Sequence, residues 1–401
     1  MEVEIDRLDH QGRGIANTDK VTFISNALPS EIVDIEITCT KSKYNIGKVK
    51  NYKKISDKRI DAVCPYFSEC GGCELMHLSY LNESKYKEEK IKDIMKRYAG
   101  IDNISSIIKC DKELGYRNKV TFKVNDKLGL YQHDSHNIVN VNKCFLISDN
   151  MNKYIDIINK MDLSHIYEVI MRESINDMMI IFMCDEDIDI DTSNLECNVV
   201  KAYKGSYKTI KGNNYIIDEI GNMKYKISPT SFFQVNKYQV KKLYDLVLTN
   251  LDINKSDRIL DLYCGTGTIG IYVSKLCNEV LGIEINEEAI KDANYNKDLN
   301  NVSNISFIAG DSKVIDSINF KPNKIIVDPP RAGLDKKVIN EIININPERI
   351  IYVSCDPITL ARDLNILKEK YNIEKVIPVD MFPRTYHVET VCTMTRKALY
   401  I

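Results

Sequence analysis

The 401-residue chain is 44% hydrophobic and 28% charged, with a formal net charge of −2. That composition excludes a disordered or fibrous chain, and near-neutrality excludes a globally basic polyanion binder, so any field for nucleic acid has to be local. No apolar run reaches the roughly 20 residues of a membrane helix, and MEVEIDRLDHQG lacks a basic-then-apolar leader.

A cytoplasmic enzyme is therefore expected, with no membrane and no obligate protein partner. Its 12 cysteines read as reduced thiols, metal ligands or catalytic groups, because structural disulfides are rare in that compartment. The length allows two or three domains.

Residues 1–57 alternate in short segments (VEIDRL, VTFISNAL, EIVDIEITC, NIGKVKNY) punctuated by QGRG, Pro29 and Gly47. Such spacing predicts a small β-barrel. Its last part is basic: Lys41, Lys43, Lys48, Lys50, Lys53, Lys54, Lys58 and Arg59 stand against Asp57, with Tyr44 and Tyr52 among them. Such a patch can hold a phosphate backbone while the rings stack on bases. The module resembles the TRAM domain, a small RNA-binding β-barrel.

CPYFSECGGCELMH follows, placing Cys64, Cys70 and Cys73 in a C-x5-C-x2-C spacing, with Cys144 in VNKCFL as the best candidate for a fourth thiol. Four thiolates suit an iron–sulfur cluster or a closed zinc site, and His77 is an alternative fourth zinc ligand. Residues 80–100 predict an amphipathic helix with Ile91, Ile94, Met95 and Tyr98 on one face and Gly100 as its stop. Residues 58–230 otherwise read as a mainly antiparallel β domain, in which Arg117, Lys119, His133 and His136 could face a polyanion.

From residue 231 to 401 helix and strand alternate, which predicts a parallel, doubly wound α/β sheet with ligands at the carboxyl ends of its strands. DLYCGTGTIG carries Gly265, Gly267 and Gly270 in a G-x-G-x-x-G turn, Asp261 precedes it, and Glu284 ends the next strand about twenty positions on. A carboxylate there can hold ribose hydroxyls, and Asp311, ending the third strand, can reach an adenine edge. This is the pattern of an S-adenosylmethionine-dependent methyltransferase. The fourth strand ends in VDPPRAG, with Arg331 after the prolines, and the fifth in VSCDP. Cys355 at a strand end, before a helix, is expected to be partly exposed and near N–H dipoles that favour its thiolate. Glu389 in HVETV supplies a carboxylate on the same rim.

C-x5-C-x2-C, YRNKV, SHNIV, SPTSFFQVN, DLYCGTG, VDPPRAGLD, YVSCDPITLARDL and HVETV together resemble the RNA uracil-5-methyltransferases, in the branch with a TRAM domain and an iron–sulfur cluster that acts on 23S ribosomal RNA. The resemblance implies a 4Fe–4S cluster on Cys64, Cys70, Cys73 and Cys144. It implies cofactor contacts from Gln234, Tyr263, Thr268, Glu284, Asp311 and Asp328, with Cys355 as nucleophile and Glu389 as general base. Met76 departs from the family, which commonly has Gln there, and Thr268 is a variable position. The alternatives are a tRNA uracil-5-methyltransferase with the same chemistry and, further off, a non-catalytic RNA-binding protein.

Overall fold

The computed structural model describes residues 1–312 and 319–398, so residues 313–318 and 399–401 of the expected 231–401 unit lie outside it. The first sheet contains β1 (Glu2–Glu4), β2 (Arg7–Leu8), β3 (Gly14–Asn17), β4 (Val21–Ser25), β5 (Ile32–Thr40) and β6 (Tyr44–Lys54), in the order β1-β5-β6-β4-β3-β2. Its inward residues Ile5, Ala16, Ile24, Val33 and Ile35 form one small core. The fully buried Glu31 accepts two hydrogen bonds from Arg59, at 2.6 and 2.8 Å, which ties this module to the segment that follows.

Helix α1 (Tyr80–Ala99) has Glu83 in its first turn, Lys96 and Arg97 in its last, and Gly100 in the left-handed conformation beyond its end. These features complement the helix dipole and satisfy the terminal carbonyls. Ile91, Ile94 and Met95 are fully buried and share one core with Leu360, Ala361 and Leu364 near the C-terminus. Each such side chain contributes roughly 1.5–3 kcal/mol by leaving water. A helix from the cysteine region is therefore anchored on the far end of the chain.

The second sheet comprises β7 (Lys119–Asn125), β8 (Lys127–Tyr131), β9 (Ile138–Asn140), β10 (Ile166–Glu173), β11 (Met178–Cys184), β12 (Asn198–Tyr203) and β13 (Ser206–Lys211). All its pairs are antiparallel except β11–β12. Helix α2 (Asp149–Ile158) packs Met151, Ile155 and Ile158 against it. The hairpin β14 (Ile216–Ile220) and β15 (Met223–Ile227) contributes Ile220, Tyr225 and Ile227 to a core shared with residues 240–391.

The last unit runs α3 (Val240–Leu251), β16 (Arg258–Leu262), α4 (Thr268–Ser274), β17 (Glu279–Glu284), α5 (Glu287–Leu299), β18 (Ile305–Ala309), β19 (Lys324–Val327), α6 (Lys336–Ile345), β20 (Arg349–Ser354), α7 (Pro357–Leu367), β21 (Tyr371–Val379) and β22 (Glu389–Arg396). Its sheet order is β18-β17-β16-β19-β20-β22-β21. The first five strands are parallel and nearly wholly apolar, as a sheet covered on both faces requires. The expectation of a parallel sheet fails at one edge. β22 enters antiparallel between β20 and β21, so its first residue, Glu389, joins the rim made by the ends of the parallel strands.

Candidate active site

β16, β19 and β20 end on one rim in Leu262, Val327 and Ser354, and the residues just beyond them carry the polar groups. Ser354 is the last β20 residue paired with β22, opposite Thr390. The next rung of that ladder would set Cys355 against Glu389, and directly opposed residues in antiparallel strands have Cβ atoms about 4.5–5.5 Å apart. Asp328 follows β19 beside them, its N–H donating to the Leu262 carbonyl at 3.4 Å.

Burial, then Glu389, pushes the Cys355 thiol up to about 11, against the pull of Arg331. Helix dipoles were expected to favour the thiolate. Burial outweighs that pull, and Asp356, the N-cap of α7, takes the Ile358 and Thr359 N–H groups on its Oδ1 at 3.0 Å each. The helix N-terminus is spent on that carboxylate. Burial, then Asp328, pushes the Glu389 carboxyl well above the usual range, and burial raises Asp328 to about 7. Unlike Cys355, Glu389 is almost sealed from water, at 3% exposed.

Cys355 opens onto a cavity of about 390 Å³ lined also by Arg331, Lys90, Tyr386 and His387. Asp9–Arg13 and Phe23 of the N-terminal module form its other wall. A second cleft of about 700 Å³ between that module and α1 shares Asp9, His10, Phe23 and Lys90 with the first. Sequence reasoning missed this wall and Lys90, since nothing local marks a residue whose partner lies some 300 positions away. The Arg13 guanidinium sits over the Phe23 ring at 4.5 Å and is held by Asp9 at 2.6 Å.

The loop 328–334 is fixed by α7. Buried Asp363 accepts from the Leu334 N–H and the Tyr352 hydroxyl, each at 2.8 Å, and Thr359 donates to the Arg331 carbonyl at 3.1 Å. Beyond β16, Tyr263 takes a left-handed φ of 62°, a strained conformation for a non-glycine residue. Gly270 is required by contact, because a Cβ there would lie 2.8 Å from Asp261 Oδ2. That oxygen accepts from the Gly270 N–H at 2.9 Å, so Asp261 pins the turn.

Glu284 ends β17 and accepts from the Gly265 N–H at 3.2 Å and the Asn286 N–H at 2.9 Å. Thr268 opens α4, but its Oγ1 already accepts from the Tyr244 hydroxyl at 2.7 Å. Gln234 is buried, with its carbonyl accepting from Asn118 at 3.0 Å. Asp311 follows the end of β18.

Cys64, Cys70, Cys73 and Cys144 line one cavity of about 30 Å³. Among the described residues, no three His, Cys, Asp or Glu side chains are gathered tightly enough to hold a metal ion. His77 is not part of that cavity lining; it packs against Phe67 at 5.1 Å, and neither ring nitrogen has a partner among the described residues. Arg117 is turned inward, where Cys73 and Cys144 feel its charge, rather than lying on an open surface. On the N-terminal module, Tyr52 donates to the Asn26 carbonyl and Arg59 covers its ring at 4.6 Å, so the face expected to stack on a base is taken. Tyr44 stays partly exposed, edge-on to Phe23 at 5.5 Å.

The sequence pattern of the family described as tRNA (Uracil-5-)-methyltransferase matches residues 155–397, and that of the TRAM domain matches residues 1–50. The chain belongs to the RNA uracil-5-methyltransferase family. It is an S-adenosylmethionine-dependent RNA methyltransferase with an N-terminal TRAM domain and a C-terminal methyltransferase fold. A protein of Clostridium tetani named as an RNA methyltransferase is 35% identical, over 96% of this chain and 94% of its own. One from Caldanaerobacter subterraneus is also 35% identical, over 98% of each. The solved tRNA (uracil-54, C5)-methyltransferase of Pyrococcus abyssi in complex with S-adenosyl-L-homocysteine is similar over 98% of this chain and 100% of that one, with a TM-score of 0.82 and 26% identity. Among the described residues, no helix of this methyltransferase is long and apolar enough to cross a membrane.

Proposed function

We propose that this enzyme methylates C5 of a uridine in 23S ribosomal RNA, with Cys355 as nucleophile and Glu389 as general base. The observation that carries the reading is that Cys355 and Glu389 each stand one residue beyond the last paired rung, Ser354–Thr390, close enough for Glu389 to act on the thiol, with Cys355 open to a nucleotide-sized cavity and Glu389 buried. Only a base that has left its stack and entered the cavity can meet both, and such flipping costs a few kcal/mol.

The chemistry follows from the groups. Cys355 sulfur adds to C6 as the thiolate, its proton passing to solvent through the open cavity, and the C5=C6 electron pair moves onto C5 and O4. S-adenosylmethionine supplies the methyl group and, as a cation, favours ionised carboxylates beside it. Glu389, buried next to Asp328, then takes the C5 proton. The released electron pair restores C5=C6 and expels the Cys355 thiolate. Covalent attachment thus divides one hard step into easier ones. Glu284 and Asp311 at their strand ends would hold the cofactor's ribose and adenine, and Asp328 and buried Gln234 would orient the reacting groups. Tyr263 would provide a ring wall. Thr268 would contribute through its backbone N–H, since its hydroxyl and carbonyl are engaged.

RNA would lie along the two connected cavities, with Arg13 and Arg331 facing its phosphates from opposite domains. The Pyrococcus likeness favours tRNA as the second reading. The enzyme should be incubated with S-adenosylmethionine and, separately, 23S ribosomal RNA and bulk tRNA, and the digests assayed for 5-methyluridine by mass spectrometry. Product in the ribosomal RNA is expected. Product in tRNA alone would shift the substrate to the second reading, and product in neither would sink the uridine assignment.

The four cysteines that line one cavity suit a 4Fe–4S cluster by donor chemistry. Burial raises every one of these thiols, Cys70 to about 11, and their mutual repulsion opposes ionisation further, so a polycation is what would hold them as thiolates. The cluster would brace the segment around Cys70 and Cys73, and no step of methyl transfer needs its electrons. Protein purified without oxygen should contain about four irons per chain, and Cys73→Ser should lose them. A single zinc, or no metal, would refute this.

A further inference from the structure

Residues 380–388 connect β21 to Glu389 and form the loop that delivers the base. The loop is gripped almost entirely from the cysteine-bearing segment and α1. The Arg384 carbonyl accepts from the Glu74 and Leu75 N–H groups at 3.1 and 3.0 Å, immediately after Cys73. The Arg384 N–H donates to Glu83 at 2.7 Å, and its guanidinium donates to the Leu78 carbonyl at 2.8 Å and to Glu113. On either side, Tyr116 donates to the Pro383 carbonyl at 2.9 Å and the Tyr386 N–H to Glu74 at 3.3 Å.

Arg384 is only 6% exposed, yet it holds a left-handed φ of 70°. An arginine in that conformation costs on the order of 1–3 kcal/mol unless its surroundings over-determine it. Here they do, and each of these bonds of Arg384 itself leads back to residues 74–113. If the only requirement were a tight turn, glycine would serve without strain.

We propose that Arg384 is a positioning residue that docks the base-carrying loop on the cysteine-bearing segment and so sets where Glu389 stands. The proposal rests on the reading of Glu389 as general base. It also gives the N-terminal third of the chain a part in the chemistry beyond holding RNA: the segment that carries Cys70 and Cys73 becomes the abutment for the base.

The test is a comparison of Arg384→Gly, which keeps the left-handed backbone and its bonds to Glu74, Leu75 and Glu83 but removes the guanidinium from Leu78, Glu83 and Glu113, with Arg384→Lys, which keeps a cation able to reach Leu78 or Glu113. Arg384→Gly should lower kcat by about 10–100-fold, as a misplacement near 1 Å can, while KM for RNA and for S-adenosylmethionine changes less than about twofold. Slow proton removal should then leave protein–RNA adduct on a denaturing gel, and Arg384→Lys should recover part of the rate. Hydrogen exchange should quicken at residues 384–389 and stay unchanged in β16 and β19. The surface-side variant Glu113→Gln covers the case in which Arg384→Gly does not fold, and should move kcat and adduct in the same direction by several-fold.

Unchanged kcat in all three variants, or parallel losses in kcat and KM with no adduct, would overturn the proposal. Glu389→Gln serves as the control. If it yields no adduct while the wild type methylates, the base assignment has failed independently of Arg384.

Discussion

Replacing Glu389 by glutamine should trap the enzyme on its substrate. Cys355 still adds to C6 and C5 still receives its methyl group, but the C5 proton has no acceptor and the thiolate cannot leave. Turnover should fall by about 10²–10⁴-fold, the usual contribution of a positioned general base. RNA should run covalently attached to protein on a denaturing gel, and a further Cys355→Ala change should abolish the band. The swap is mild structurally, because burial already holds the Glu389 carboxyl well above its usual range, and a neutral amide resembles the protonated acid. A second carboxylate, Asp328, is buried beside it and interacts with it. If Glu389→Gln retains turnover and Asp328→Asn traps the adduct instead, the two roles must be exchanged.

The largest effect on stability is expected at Lys87. Its side chain is wholly buried, and its ammonium donates to Glu83 at 2.7 Å, to Asp380 at 2.8 Å and to the Phe382 carbonyl at 3.0 Å. Burial alone would neutralise it, but Asp380 and Glu83 outweigh that and hold the amine charged. Burial, and then Asp380, pushes the Glu83 carboxyl up as well, while Lys87 and then the Arg384 guanidinium, 3.5 Å from Glu83, pull it down. Lys87→Met takes from buried Asp380 the ammonium it faces and leaves Glu83 to Arg384 alone, and breaking such a cluster from one side costs about 3–5 kcal/mol. The midpoint of denaturant unfolding of the C-terminal unit should drop accordingly, and Glu83→Gln in the same chain should restore part of it. An unchanged midpoint would mean that water reaches the cluster in solution.

The placing of the polar residues on the strand-end rim was legible because the pattern there is local. Glycines, strand-end carboxylates and a cysteine after an apolar run each fall within a few residues of the element that places them. The antiparallel entry of β22 was not legible. HVETV reads as a strand in either direction, and its direction is decided by β21, whose YNIEKVIPV mixes charged and apolar residues without a clean period. The raised Cys355 thiol was hidden for a related reason. A helix N-terminus near a cysteine is visible in sequence, but whether Asp356 or the thiol receives its N–H groups depends on side-chain direction. The Lys87 cluster and the Arg384 clamp join positions some 300 residues apart, and no local pattern announces them.

The antiparallel edge has one more consequence, for how the chain can be cut. Cys355 and Glu389 are brought to one rim by hydrogen bonds between β20 and β22, not by the covalent path of α7 and β21 that separates them in sequence. That path makes a turn at residues 368–370, where Glu369 and Lys370 are exposed. New termini or an inserted segment placed there would leave the ladder, the α7 cap and the gripped loop intact. The protein could be made as two complementing pieces, each inert alone, whose reassociation across the sheet restores the paired cysteine and glutamate.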